Sequence, residues 1–382
     1  GDGLLRCGGR GTSQRVTAPV PPLDRFTDWP AWLARLALVV LAMLLVASAM
    51  VPIAALKQES APRGIIENAA RPVGDEGRPR DRDLAVYDAV IARLQDGERY
   101  YAVVLEEHRK AAFPVRPGFA VRLPTLAWIA AVLGNTGMTA AAFVLFAAVV
   151  WAWWRRLGGE LGLRRHLLFG TALILFGAVL GLNRYFFVLH ELWSGMLLAL
   201  ALALYRPGER WGATLGLVAL ALAIREHVLP FVLLAAALAL WWRRWREALA
   251  WGGLAALFVA LLALHHQQVA QGVLPGDPPS YPWLVLRGLS GWLSNIVLSS
   301  NLRFLPHWLA GPLVILMVLG WSVWRSRLGT FATLLFLGYG LAFMIAGRPD
   351  NYYWGAVIAP SMFLGLAFVV PALRGLRQAA RI

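Results

Sequence analysis

The sequence predicts an all-α, polytopic membrane protein with about ten transmembrane helices and a long outer loop of amphipathic helices after the first span. Three observations carry this reading. Of 382 residues, 59% are hydrophobic and only 15% are charged, against roughly a quarter charged in soluble domains. Apolar runs of about 20 residues, long enough to cross about 30 Å of hydrocarbon, recur through most of the chain. Arginines gather in alternate connections between those runs, the pattern that sets the orientation of membrane helices.

Residues 1–31 read as a cytoplasmic tail, Gly-, Arg- and Pro-rich over its first 25 or so residues and expected to be disordered. Cys7 is the single cysteine, so no intrachain disulfide and no thiolate metal cluster can form. Residues 32–56 are the first span, retained because no small-residue cleavage site follows the apolar core. Residues 57–123 form the polar loop and 124–373 the main bundle. That bundle opens with a short apolar piece, 124–133, broken at Gly134-Asn135 and followed by a span at 139–154. Further spans are expected at 166–182, 186–205, 211–224, 228–242, 248–264, 306–324, 328–346 and 352–370, and residues 374–382 form a second cytoplasmic tail.

One set of connections carries Arg155, Arg156, Arg164 and Arg165, then Arg206 and Arg210, Arg243, Arg244 and Arg246, Arg325 and Arg327, and finally Arg374, Arg377 and Arg381. The alternate short connections carry one arginine each, at Arg184, Arg225 and Arg348. Both termini are therefore expected in the cytoplasm, with the polar loop and residues 265–304 on the outer side; loops longer than about 60 residues largely escape the rule. The same placement accounts for the net charge of +15. Nucleic-acid binding is a poor reading, because the cations sit at span ends rather than in one patch interleaved with aromatics. No internal repeat is evident, which argues weakly against a transporter.

The polar loop holds the chemistry. Asp83 opens a helical run, 84–95, in which Leu84, Tyr87, Ile91 and Leu94 share a face expected to lie in the membrane interface. Asp81 or Asp83 there reads equally as a helix N-cap or as a reactive carboxylate. Tyr100 and Tyr101 suit interfacial anchoring better than stacking on a sugar. Glu106, Glu107 and His108 are adjacent, so they do not share a helix face, and a solvated surface is the better reading. Arg116 and Arg122 lie in a Pro-rich return to the membrane, where guanidinium groups can grip a phosphate in a two-pronged bond or simply attract anionic headgroups.

Ionisable residues at span ends are costly and therefore functional candidates: His190 and Glu191, and Arg225, Glu226 and His227. A Glu–Arg pair that only holds helices together is the competing reading. The span before Arg225 is short, which implies a water-filled cavity open to the outside at that point. Adjacent His265 and His266 point in different directions on a helix and do not by default make a metal site. Arg348, Asp350, Tyr352 and their aromatic neighbours open the last span, as either a sugar-phosphate grip or an aromatic belt with one salt bridge.

These features come in a recognisable order. A first span leads to Asp83, Tyr87 and the run Gly97-Glu98-Arg99-Tyr100-Tyr101. The return Arg122-Leu123-Pro124-Thr125-Leu126-Ala127-Trp128 follows, and then many spans. The chain resembles the GT-C superfamily of integral membrane glycosyltransferases, the group that includes protein O-mannosyltransferases and lipid A aminoarabinose transferases. Residue-level resemblance centres on 83–128, with weaker echoes at His190-Glu191 and 348–354. It implies a polyprenyl-phosphate sugar donor, an envelope glycan, lipid or protein acceptor, and an active site facing the periplasm or cell exterior of a bacterial inner membrane. It also implies inversion at the anomeric carbon, with Asp83 as base and Asp81 as second choice.

Donor and substrate binding would fall to Tyr87, Tyr101, Arg116, Arg122, His190, Glu191, Arg225, Glu226, Arg348 and Tyr352. The familiar adjacent acidic pair is absent, since Arg82 separates the two aspartates. Asp81-Arg82-Asp83 also matches a short Asp-x-Asp metal pattern, so a divalent metal stays open. The rival reading is a transporter or flippase of a lipid-linked or anionic substrate.

Overall fold

A computed structural model describes residues 23–53, 80–161 and 164–381. The expected disorder of the first residues, Cys7, and the start of the polar loop through residue 79 lie outside the described residues. Within them the chain is all-helical, with no named strand.

The first helix, α1 (Ala31–Met50), begins after Pro30 and ends with Val51 extended. Pro52 explains the stop, because a residue before proline is pushed out of the helical region; the expected span therefore ends several residues early. After the undescribed segment, α2 (Arg82–Gln95) and α3 (Tyr100–Lys110) pack on each other. A return through 111–124, irregular except for one 3₁₀ turn at Gly118–Ala120, leads into α4 (Thr125–Leu161). Gly134, at φ 60° and ψ −178°, kinks α4 where the break was expected, a conformation open only to glycine.

Then come α5 (Arg164–Ala178), α6 (His190–Leu204), α7 (Gly212–Ile224), α8 (Leu229–Trp241) and α9 (Trp245–Gln271). After them lie α10 (Gly288–Leu298), α11 (His307–Val323) and α12 (Arg327–Ile345). A 3₁₀ segment, Pro349–Val357, precedes α13 (Ala359–Met362), and a further 3₁₀ turn joins that to α14 (Val369–Arg381). Among the described residues, five helical stretches are long and apolar enough by length and composition to cross a membrane, and six shorter apolar ones accompany them.

Four expectations need correction. Residues 186–189 are not the start of a span; the chain turns there, Asn183 caps the turn by accepting the Tyr185 N–H, and α6 starts only at His190. Helix α9 runs on through His265 and His266 instead of ending at 264. Residues 265–304, read as an outer segment without a span, contain the short apolar helix α10. The supposed tail from 374 is helix α14, whose Ala372, Gly375, Leu376 and Ala379 are buried as it packs on α1 and α11. Small residues on that face allow close helix approach, as they do elsewhere: a Cβ at Gly320 of α11 would overlap the Gly365 carbonyl oxygen.

Outward faces are apolar. Leu36, Val39, Met43 and Val46 of α1 and Leu249, Leu257, Leu261 and Leu264 of α9 are exposed, which suits a lipid surround and would be an aggregation liability in water. The arginine-rich connections meet at one end. Arg206 pairs with Glu160 at 2.8 Å. Glu247 accepts from the Tyr205 hydroxyl at 2.9 Å and the Gly208 N–H at 2.7 Å. Arg156 donates to the carbonyls of Leu202, Ala203 and Tyr205, satisfying the free C-terminal acceptors of α6. At the opposite end, α2, α3, the return and the 225–228 turn enclose the site.

Candidate functional site

The site is built around the buried end of the return segment, residues 121–124, which carries no bridge partner among the described residues. Buried carbonyls need donors, and here three successive ones receive them from three different helices. His265 Nε2 of α9 lies 3.1 Å from the Val121 oxygen. The Tyr100 hydroxyl of α3 donates to the Arg122 oxygen at 2.6 Å. His190 Nε2 of α6 lies 3.2 Å from the Leu123 oxygen, and the Arg122 N–H reaches the Tyr87 hydroxyl at 3.4 Å. The Arg122 backbone is thereby held at both its N–H and its carbonyl.

Its guanidinium stands 4.6 Å over the Tyr87 ring and 5.6 Å from that of Tyr353. The residue is only 6% exposed, yet its Nη1 has no hydrogen-bond partner among the described residues. A buried guanidinium with an unbonded nitrogen is costly and is set up to receive an anion.

The space in front of it is a cavity of about 340 Å³, in the size range of small-molecule sites. Asp83 and Tyr87 of α2 line it with Arg122, the Arg225-Glu226-His227 turn, and Arg348 and Asp350. The turn forms because α7 stops after 13 residues, with Arg225 extended at its C-cap; the helix is about 20 Å long. Expectation and geometry agree here: the short helix delivers its charges to a cavity.

Arg225 is paired on both sides, with Glu191 at 2.7 Å and Glu226 at 2.9 Å. The Glu191 contact is close but lies off the hydrogen-bond direction, leaving both Glu191 oxygens without an aligned donor among the described residues. Arg348 forms a two-pronged pair with Asp350, both contacts at 3.2 Å.

Asp81 and Asp83 differ in placement. Asp81 occupies the N-cap position of α2, but its carboxylate makes no capping bond; it is exposed and outside the cavity wall. Asp83 sits in the first turn, accepts the Leu84 N–H at 3.0 Å and faces the cavity. Burial pushes its carboxyl above the usual value; Arg122 and the Leu84 N–H pull it back, and Asp81 adds to the rise.

Several expected residues fall elsewhere. Tyr101 lies outside the cavity wall, its hydroxyl 3.1 Å from His265 Nδ1. Arg116 is exposed, and its carbonyl takes the Ser280 N–H. Tyr352 stacks edge-on against Tyr353 without lining the cavity. His190 is behind Tyr87, with ring centroids 5.6 Å apart, and serves the return segment rather than a ligand. Glu106 and Glu107 pair with Arg93 and Lys110 at the surface, as expected. Among the described residues no cluster of three His, Cys, Asp or Glu is arranged to hold a metal ion.

His108 does not lie on the solvated surface expected for it. It is buried and lines the cavity. Tyr100, Val104 and His108 recur every four residues on α3, so the spacing held the signal. Its Nδ1 lies 3.0 Å from the Pro114 oxygen and its Nε2 3.3 Å from the Tyr87 hydroxyl. With Nδ1 donating to the carbonyl, Nε2 must accept from Tyr87. Ser280 and Trp283 also line the cavity; nothing local in the sequence marks them.

Burial lowers His108 to about 4, whereas an unfolded histidine titrates near 6.5. The unfolded state therefore binds more protons between those values, and stability falls as pH drops from about 6.5 to about 4, by about 3 kcal/mol for this group. A denaturation series in detergent across that window checks it, with His108→Gln expected to remove that part of the pH dependence.

Comparison with protein-family models, curated proteins and solved structures finds no match.

Proposed function

We propose that this chain is a membrane glycosyltransferase that moves a sugar from a polyprenyl-phosphate donor to an envelope glycan, lipid or protein acceptor, on the outer face of a bacterial inner membrane. Both termini would be cytoplasmic, and the shorter apolar helices would complete about ten crossings. The observation that carries the reading is the placement on one cavity of Asp83, its carboxyl raised by burial, and the buried guanidinium of Arg122, whose Nη1 has no hydrogen-bond partner among the described residues.

The chemistry follows from those two groups. Asp83 accepts the proton of an acceptor hydroxyl. That oxygen attacks the anomeric carbon through an oxocarbenium-like transition state, and the bond from that carbon to the phosphate oxygen breaks. The departing phosphate keeps the electron pair, and its charge is met by Arg122 and Arg225 in a partly shielded site. Attack opposite the leaving phosphate inverts the anomeric centre. A carboxyl held above its usual value by burial is a better base than an exposed aspartate, and activity is expected to fall on its acid side as Asp83 protonates. Aromatic walls at Tyr353 and Trp354 suit a sugar face.

Replacing Arg122 by Gln keeps the shape but removes the charge. A charged hydrogen bond contributes about 1.5–3 kcal/mol, so Arg122→Gln is expected to weaken binding of a polyprenyl monophosphate by roughly 10- to 100-fold, measured by titration of purified protein in detergent. For the function as a whole, envelope glycans of a deletion strain are compared by mass spectrometry with those of the complemented strain. Loss of one defined sugar mass, restored by the wild-type chain, supports transfer; an unchanged glycan profile makes transport of a lipid-linked substrate the leading reading.

A further inference from the structure

A non-helical stretch, residues 279–287, closes one side of the cavity and carries an outward face that neither the transferase reading nor the helix pattern explains. Tyr281, Leu284 and Leu286 are 78%, 81% and 83% exposed. Polypeptide outside helices normally shows polar residues to water, and three such side chains on one short stretch need an apolar neighbour.

The stretch is not loose. Its Ser280 N–H donates to the Arg116 oxygen, Val285 N–H to the Ile345 oxygen and Arg287 N–H to the Met344 oxygen, and its Trp283 oxygen accepts the Gly347 N–H. It is stapled to the end of α12, with Leu284 bridged to Ala346. Alternation of side chains along such a pairing puts neighbours on opposite faces. Trp283 accordingly lines the cavity while Leu284 and Leu286 face away.

What lies outside is indicated by continuity. Leu341 and Ile345, on the last turns of α12, are 65% and 54% exposed and lead directly into the stretch. Trp128 near the start of α4 and Trp308 at the start of α11 are also exposed, and tryptophan at helix ends marks the boundary between hydrocarbon and headgroups.

We propose that residues 281–286 are a membrane-inserted loop, with Leu284 and Leu286 among the upper acyl carbons and Tyr281 at headgroup level. Its staples satisfy the backbone on the protein side, as non-helical chain at membrane depth requires. The shallow depth, about 5–10 Å, leaves the outer edge within reach of headgroup water. The proposal rests on the chain crossing a bilayer and is independent of the transferase chemistry.

The test uses the full chain in liposomes with Cys7→Ser, adding Leu284→Cys or Leu286→Cys and a nitroxide label. Leu341→Cys serves as the lipid control and Asp96→Cys, at the exposed C-cap of α2, as the water control. Collision rates are read with oxygen, which partitions into lipid, and with a water-soluble nickel chelate. The expected result is an oxygen-to-nickel ratio at 284 and 286 shifted from the Asp96→Cys value towards the Leu341→Cys value. A ratio equal to that of Asp96→Cys overturns the proposal, and so does shielding from both reagents, which would mean a protein contact such as a second copy. Failure of the Leu341→Cys control itself overturns the membrane reading and this proposal with it.

Discussion

Glu191→Ala is expected to lose about 3–5 kcal/mol of stability, the cost of stranding a buried charge by removing its partner. Glu191 has no exposed side-chain surface, and its partner Arg225 has 6%. Arg225 keeps Glu226 at 2.9 Å, so its charge is not wholly orphaned, which places the loss towards the lower end of that range. Arg122 is the second cation that Glu191 stabilises. The loss should therefore shrink when Arg225 is replaced as well: Glu191→Ala with Arg225→Met should be more stable than Glu191→Ala alone, because exchanging a buried pair for apolar groups is often neutral or favourable. Thermal unfolding of the two variants in one detergent checks both statements. Equal stability of wild type and Glu191→Ala would show that the pair contributes little.

Asp83→Asn is expected to slow sugar transfer by about 10²–10⁴-fold, the usual contribution of a general base, while leaving the fold intact. The stability sign follows from the carboxyl's raised value. A group whose folded value lies above its unfolded value stabilises at low pH and loses that contribution as pH rises through the folded value. At neutral pH the buried charge is therefore a burden, and an uncharged amide of the same shape relieves it. Asp83→Asn should unfold no earlier than wild type at pH 7, separating lost chemistry from lost structure. Asp81→Asn, changed outside the cavity wall, should keep most of the activity.

The helical class could be read from apolar run length, and the amphipathic α2 from the spacing of Leu84 and Tyr87, both buried in the structure. The kink at Gly134 and the shortness of α7 were equally visible, because glycine and the Arg225-Glu226-His227 charges are local signals. Element ends were harder. The end of α1 is set by Pro52, and the start of α6 by a turn capped through Asn183; a hydropathy reading passes over both.

Site membership divided along the same line. Asp83, Tyr87, Arg122, Arg225, Glu226 and Arg348 do line one cavity. Each is a polar or amphipathic group where an apolar one would be cheaper. His190 and Tyr101 carry the same signal but serve other ends: His190 satisfies the Leu123 carbonyl and Tyr101 contacts His265. A polar side chain that meets a ligand and one that meets a stray backbone carbonyl look alike until the return segment is folded against them. Trp283 arrives in the cavity through pairing with Gly347, a long-range contact with no local trace.

The most direct test of the transferase reading is sugar transfer in the deletion strain carrying wild type or Asp83→Asn at equal membrane levels, read as the mass of the modified envelope component. The account predicts that wild type restores the sugar mass and Asp83→Asn does not. Full restoration by Asp83→Asn would contradict it, removing Asp83 as the base and leaving the cavity a binding site of another kind.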